Sequence, residues 1–350
     1  MTALMAGRSH ATSDATDTRE GASRHTYAAT LPADRFYCLL DELPAHLIPR
    51  RAFKKVLQSD RRETLFLNPE CIVCVGEELP EELAARREQL SAFALQGAVA
   101  WVRSRTTGNL LPFWLGPQLE RVLRGLRPNE PVPSSVARSV RHGLAAAGIL
   151  IPDDRQGQTQ QRRQREEMIS KAALSFREKG YAPLGDLIHP FHIAALRRYY
   201  RYLIRTGAIT LGDGQSPLRY RAHNEPVARF FHQDIASTLS AVAGEPIKPS
   251  YVYMASYLGG AELKKHTDRA QCEFSMTLCV DFSPEPALET PWPIRLDTSA
   301  GTVAVYQALG DGLAYRGTRV PHYRNVLGAG RTSTSIFFHY VAADFSGPLD

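Results

Sequence analysis

The residues in this chain best placed to do chemistry are His266 and Asp268, two apart in the run Lys264-Lys265-His266-Thr267-Asp268-Arg269. If that run is extended, a period of two puts both side chains on one face, where they could grip a single metal ion. His322 offers a third ligand. Two imidazoles and one carboxylate on one side of a metal suit Fe(II) and leave the opposite positions open to reactants. Arg331 follows His322 by nine residues and carries a permanently charged, forked donor that matches a carboxylate.

Strands must hold these residues in place. Beyond Pro249 the pattern alternates through residues 251–257 and 274–281, and further strands are expected at 294–297, 302–306, 313–316 and 331–340, with Gly and Pro between them. Strands of this number and spacing predict a sandwich or jelly roll. On such strands Ser333 shares the face of Arg331, Tyr251 and Tyr253 share one parity with Tyr257, and His339 has the parity of Arg331. Arg269 reads as one half of a structural ion pair.

Upstream of the strands the texture is helical. Residues 166–179 place Met168, Ile169, Ala172, Ala173 and Phe176 on one face. Residues 191–206 have Pro190 near the start and Gly207 past the end. His189 and His192 lack a carboxylate partner and read as helix-start and packing residues. Farther back, helices are expected at 79–101, 115–126 and 134–147, the last capped by Ser134-Ser135, with two short strands at 63–68 and 70–75. The lone Cys71-x-x-Cys74 has no second pair to complete a zinc site and reads as core.

The 350 residues hold 42 Lys and Arg against 36 Asp and Glu, a net charge of +6 with the acids interspersed. That balance argues against a nucleic-acid partner. The basic run at 155–165 has no interleaved aromatics and marks a linker or helix start. No apolar stretch is long enough to span a membrane, and residues 1–26 lack the apolar core of a signal peptide and read as a disordered tail. Five cysteines, few and odd in number, favour reduced thiols and a cytoplasmic location.

Taken in order, Tyr257-Leu-Gly-Gly-Ala-Glu-Leu-Lys-Lys-His266-Thr-Asp268, Gly310-Asp-Gly-Leu-Ala-Tyr-Arg-Gly317, His322 and Arg331-Thr-Ser333 resemble the Fe(II)- and 2-oxoglutarate-dependent oxygenases, in particular their prolyl-hydroxylase-like branch. The resemblance covers about residues 170–345. It implies a double-stranded β-helix in which His266, Asp268 and His322 bind Fe(II), with Arg331, Ser333 and either Tyr251 or Tyr253 holding the 2-oxoglutarate cosubstrate. It also implies use of O2 to hydroxylate an unactivated C–H bond; a carboxylate at Asp268 favours hydroxylation over halogenation. A shorter stretch near 115–152, ending in Gly148-Ile-Leu-Ile151, resembles a winged-helix or PqqD-like module, a family that binds peptides or nucleic acid.

The expectation is therefore an α+β chain. It has a tail (1–26), a mainly helical N-terminal domain that could dock substrate (27–154), a linker or helix start (155–170) and an oxygenase domain (171–350). The substrate would be a peptide or protein side chain, or an amino-acid-like small molecule. A catalytically silent metal-binding sensor and a non-oxidative metalloenzyme are the alternatives, and the oligomeric state is open.

Overall fold

The computed structural model describes residues 31–52, 64–104, 108–153 and 155–350; the expected tail lies outside them. The N-terminal part holds β1 (Leu65–Leu67), β2 (Cys71–Val75), β3 (Ala98–Arg103), β4 (Leu110–Leu115), α1 (Pro117–Arg124), α2 (Arg138–Ala146) and β5 (Leu150–Pro152). β2, β3 and β4 form one antiparallel sheet, and β1 pairs with β5.

This part is less helical than the sequence suggests. The helix expected over 79–101 is a single turn (Glu81–Ala84), a 3-10 turn (Arg87–Leu90) and then β3. The Ala and Gln content favours a helix, but Gly97 takes a positive φ of 81° and breaks the run. Beyond it, Ala98, Val99, Ala100 and Trp101 are buried on both faces of a central strand. The helix expected from Ser134 begins only at Arg138, capped by Ala137 with no side-chain hydrogen bond. Cys74 is buried and Cys71 partly so, in keeping with packing roles.

The chain then runs through α3 (Arg155–Lys179), β6 (Tyr181–Leu184), α4 (Pro190–Arg205), β7 (Thr210–Leu211), β8 (Arg219–His223) and α5 (Pro226–Ala243). The basic run is thus the start of the long helix α3. His189 caps α4 by accepting the Phe191 backbone N–H, and His192 is buried beside Phe113. An aromatic cluster joins the two parts: Phe36 and Phe93 meet edge to face at 5.0 Å, and Phe93 meets Phe230 of α5 at 5.1 Å.

The remaining strands are β9 (Ile247–Leu258), β10 (Leu263–His266), β11 (Phe274–Ser283), β12 (Ile294–Thr298), β13 (Gly301–Val305), β14 (Gly312–Arg316), β15 (His322–Arg324) and β16 (Thr332–Ala342). They make two antiparallel sheets, one of seven strands ordered β6-β14-β11-β16-β9-β8-β7 and one of four ordered β10-β15-β12-β13. Their inner faces meet: Ile294 and Leu296 of the small sheet pack with Leu313 and Tyr315 of the large one. The two imidazoles read from the sequence sit on neighbouring strands of the small sheet, because β10 pairs with β15 in a register that sets His266 opposite His322.

Candidate metal centre

β10 ends at His266, so Asp268 does not lie on the strand as alternation alone implies. The chain turns there, and the Asp268 N–H donates to the Gly317 carbonyl at 2.9 Å. The carboxylate still arrives beside the imidazoles. Its Oδ1 lies 3.6 Å from His266 Nε2 and 3.5 Å from His322 Nε2, and one ligand atom from each of the three residues falls within 4.8 Å of the others. Gly317 makes this approach possible, since a Cβ there would overlap Asp268, Ser275 and the Cys272 carbonyl.

Both histidines are oriented in the same way. His266 Nδ1 lies 2.8 Å from the Lys264 carbonyl and His322 Nδ1 lies 3.0 Å from the Val320 carbonyl. A carbonyl can only accept, so each Nδ1 carries the proton and each Nε2 is left with a free lone pair facing Asp268. Backbone support of this kind fixes the tautomer of metal-ligating histidines. Burial alone pushes the Asp268 carboxyl up, but the neighbouring His322 and His339 and the Ser275 hydroxyl outweigh it and hold the group at about 2. Burial, and then the neighbouring His322, lower the pKa of His266. The carboxylate is therefore ionised and His266 neutral at physiological pH, the states a divalent ion requires.

Residues around the triad lock it. The Ser275 hydroxyl donates to Asp268 Oδ2 at 2.8 Å and accepts from His339 Nδ1 at 2.9 Å. Tyr315 packs on His322 at 4.7 Å. His339 is thus a buried neighbour of the site, its pKa lowered by burial to about 4. Cys272, with Asp268 and His339, forms a second group of possible ligand atoms that shares the same carboxylate.

The triad opens on a cavity of about 370 Å³ between the sheets, lined also by Tyr251, Tyr253, Tyr257, Arg219 and Phe337. Both tyrosines expected near a cosubstrate are here. The Tyr251 hydroxyl meets Cys272 Sγ at 3.0 Å, and the Tyr253 hydroxyl donates to Asp213 at 2.6 Å. Arg331 and Ser333 are not among the lining residues: Ser333 is buried within β16 and Arg331 is half-buried just before that strand. Arg269 forms no ion pair among the described residues; it lies 4.6 Å over the Tyr251 ring at the mouth. Sequence reasoning passed over Asp213 and Arg219, which pair at 2.6 Å on the cavity wall. They come from a stretch too short in its strands to carry a period.

No family profile matches the sequence, and no curated protein sequence matches it. Solved structures do. Among those similar to this chain are non-haem alpha-ketoglutarate-dependent enzymes and prolyl hydroxylases. A prolyl-4-hydroxylase from Pseudomonas putida is 16% identical, with a TM-score of 0.42 over 50% of this chain and 99% of its own. A Trichoplax adhaerens prolyl hydroxylase, solved with a hypoxia-inducible-factor peptide fragment, is 12% identical, with a TM-score of 0.44 over 54% and 94%. The alpha-ketoglutarate-dependent epimerase SnoN from nogalamycin biosynthesis is 12% identical, with a TM-score of 0.43 over 51% and 82%.

Proposed function

We propose that this protein is an Fe(II)- and 2-oxoglutarate-dependent oxygenase that hydroxylates an unactivated C–H bond within a double-stranded β-helix. The observation that carries the reading is the pair of histidines with Nδ1 tied back to the chain and both Nε2 atoms turned to one ionised carboxylate inside a cavity. His266, Asp268 and His322 would hold the iron. When bound there, Fe(II) supplies, with O2 and 2-oxoglutarate, the oxidant for the C–H bond, and the cosubstrate leaves as succinate and CO2.

The chain's own groups do the rest. Ser275 holds one oxygen of Asp268, which leaves the other to bind a metal. Tyr251, Tyr253, Tyr257 and Phe337 line the space where reactants meet and limit the water that reaches it. The cavity is of the size that encloses a small ligand or one side chain of a peptide. The substrate is accordingly an amino-acid-like molecule or a peptide side chain, and the N-terminal part, with its own small sheet, would dock the latter. No helix among the described residues is long and apolar enough to cross a membrane, and the five free cysteines support a cytoplasmic setting.

Purified protein given Fe(II), 2-oxoglutarate and O2 is expected to release succinate slowly without substrate, and Asp268→Ala is expected to stop the release while leaving the circular-dichroism spectrum unchanged. Equal release by the variant would show that the ligands are misassigned. Mass spectrometry for a +16 product then identifies the substrate.

A further inference from the structure

At the rim of the cavity sits a carboxylate that belongs to the chain itself. His223 ends β8 and lines the cavity. Its Nε2 lies 2.9 Å from Oδ1 of Asp350, and the next residue, Asn224, donates from Nδ2 to Oδ2 at 3.3 Å. Both oxygens of one acid are thus held. A carboxylate oxygen only accepts, so His223 Nε2 carries a proton whether or not the ring is charged.

The two donors are set before any acid arrives. Asn224 takes a positive φ of 49°, which asparagine adopts more readily than most residues, and it exchanges two hydrogen bonds with Val252 of β9. Its N–H donates to the Val252 carbonyl at 2.8 Å, and its Oδ1 accepts the Val252 N–H at 3.1 Å. With Oδ1 tied down, the amide can offer the rim only its NH2 group. Across the mouth, His223 stands 5.2 Å from the Tyr251 ring and Arg269 lies 4.6 Å over the same ring. Arg269 lines the cavity too, and a cation there draws anions toward it.

The acid now in place is loosely held. Beyond β16 the Ala343 N–H donates to the Pro246 carbonyl and Lys248 Nζ donates to the Phe345 carbonyl; Pro348, Leu349 and Asp350 are then exposed. The Asp350 side chain is 63% exposed, and a pair so open to water contributes little to stability. An architectural carboxylate is treated otherwise: Asp281 is buried between Arg197 and Arg201. Asp350 can leave, and another carboxylate can take its place.

We propose that His223, Asn224 and Arg269 form a recognition site for a carboxylate of the substrate, and that Asp350 fills it until the substrate arrives. This rests on the oxygenase reading above and narrows its substrate to acids: an amino-acid-like acid, or a peptide with an acidic side chain near the residue oxidised. The rim holds the charge, and the same cavity presents the C–H bond to the triad.

The test is a chemical-shift titration of the full chain without metal, read at the His223 ring and the Asn224 side-chain amide. The probes are the blocked pentapeptide Ser-Gly-Pro-Leu-Asp, which repeats residues 346–350, the same peptide ending in Asn, and the single blocked residue Ac-Asp-NH2. In the wild type the tethered Asp350 competes at an effective concentration in the millimolar range, so Asp350→Asn should lower the half-saturating concentration of the Asp peptide about tenfold. The Asn peptide should move neither signal. Adding Arg269→Ala to Asp350→Asn should weaken the Asp peptide again by about threefold. An Asp peptide that leaves both signals of Asp350→Asn in place, or an Asn peptide that moves them equally, overturns the site. Equal affinity for Ac-Asp-NH2 and the peptide assigns the rim to a small acid, and a clearly tighter peptide assigns it to a protein substrate. The substrate found by its +16 product should itself be an acid. A neutral substrate overturns the proposal while the oxygenase reading stands, whereas the expected titrations with no release of succinate overturn that reading and leave the rim site in place.

Discussion

Two arginines are buried equally deeply in this molecule and are treated in opposite ways. Arg197 of α4 is 2% exposed and Arg324 of β15 is 4% exposed. Arg197 has two acids, Asp281 at 2.8 Å and Glu285 at 2.9 Å, and also donates to the Leu47 carbonyl; Arg201 closes the network on Asp281. Arg324 has none. The first charge is neutralised by the fold and ties an N-terminal segment to α4 and the end of β11. Among the described residues the second is met by uncharged acceptors alone. Burial alone therefore does not tell how a charge is accommodated, whereas the presence or absence of a counter-charge does.

The comparison breaks first, if it breaks, at Arg197. Arg197→Met leaves Asp281 and Glu285 with less than they need, so the protein should lose about 3–5 kcal/mol of stability, the usual consequence of removing one partner from a buried ion pair. Urea denaturation measures it. A loss below about 1 kcal/mol would mean that water reaches the network and that the two arginines differ less than their contacts indicate.

An effect smaller per residue sharpens the contrast from the side of the histidines. Burial holds His189 at about 4, and His192 and His232 at about 3, each with a backbone carbonyl but no acid as partner. Their unfolded value is near 6.5, so between pH 4 and 6.5 the unfolded chain binds more protons than the folded one. Stability then rises with pH across that window and is level above it. Each histidine costs about 2 kcal/mol at pH 5 relative to pH 7.5. Glu225, whose pKa burial raises, works the other way, and the depressed Asp213 and Asp268 act only below about pH 4. Unfolding free energies at pH 7.5 and pH 5 should differ by several kcal/mol. Equal values would place these imidazoles in contact with water.

Sequence patterns exposed one half of this molecule better than the other, for physical reasons. β9, β11, β12, β13, β14 and β16 were legible because Gly and Pro punctuate short runs rich in β-branched and aromatic residues. His266, Asp268 and His322 stood out because their types and order are uncommon together. β3 was hidden: a strand buried on both faces has no alternation, and its alanines read as helix. Asp213 and Arg219 sit around strands of two and five residues, β7 and β8, with too little length for a period. Arg324 was invisible for another reason. Whether an arginine finds an acid is decided by which strands and helices meet, and nothing local to Pro321-His322-Tyr323-Arg324 records it.

That tertiary character gives the smallest and most discriminating prediction. If Arg324 is an unbalanced charge, the protein is less stable for having it, because Trp292 and Gln307 offer uncharged contacts only. Replacing a buried charge with an apolar side chain of similar length is often neutral or stabilising. Arg324→Leu should thus melt at the same temperature as the wild type or a few degrees higher, about 1 kcal/mol at most, when neither metal nor cosubstrate is present. A structural arginine like Arg197 would lower the melting temperature when replaced, and a variant that melts well below the wild type would move Arg324 into that class.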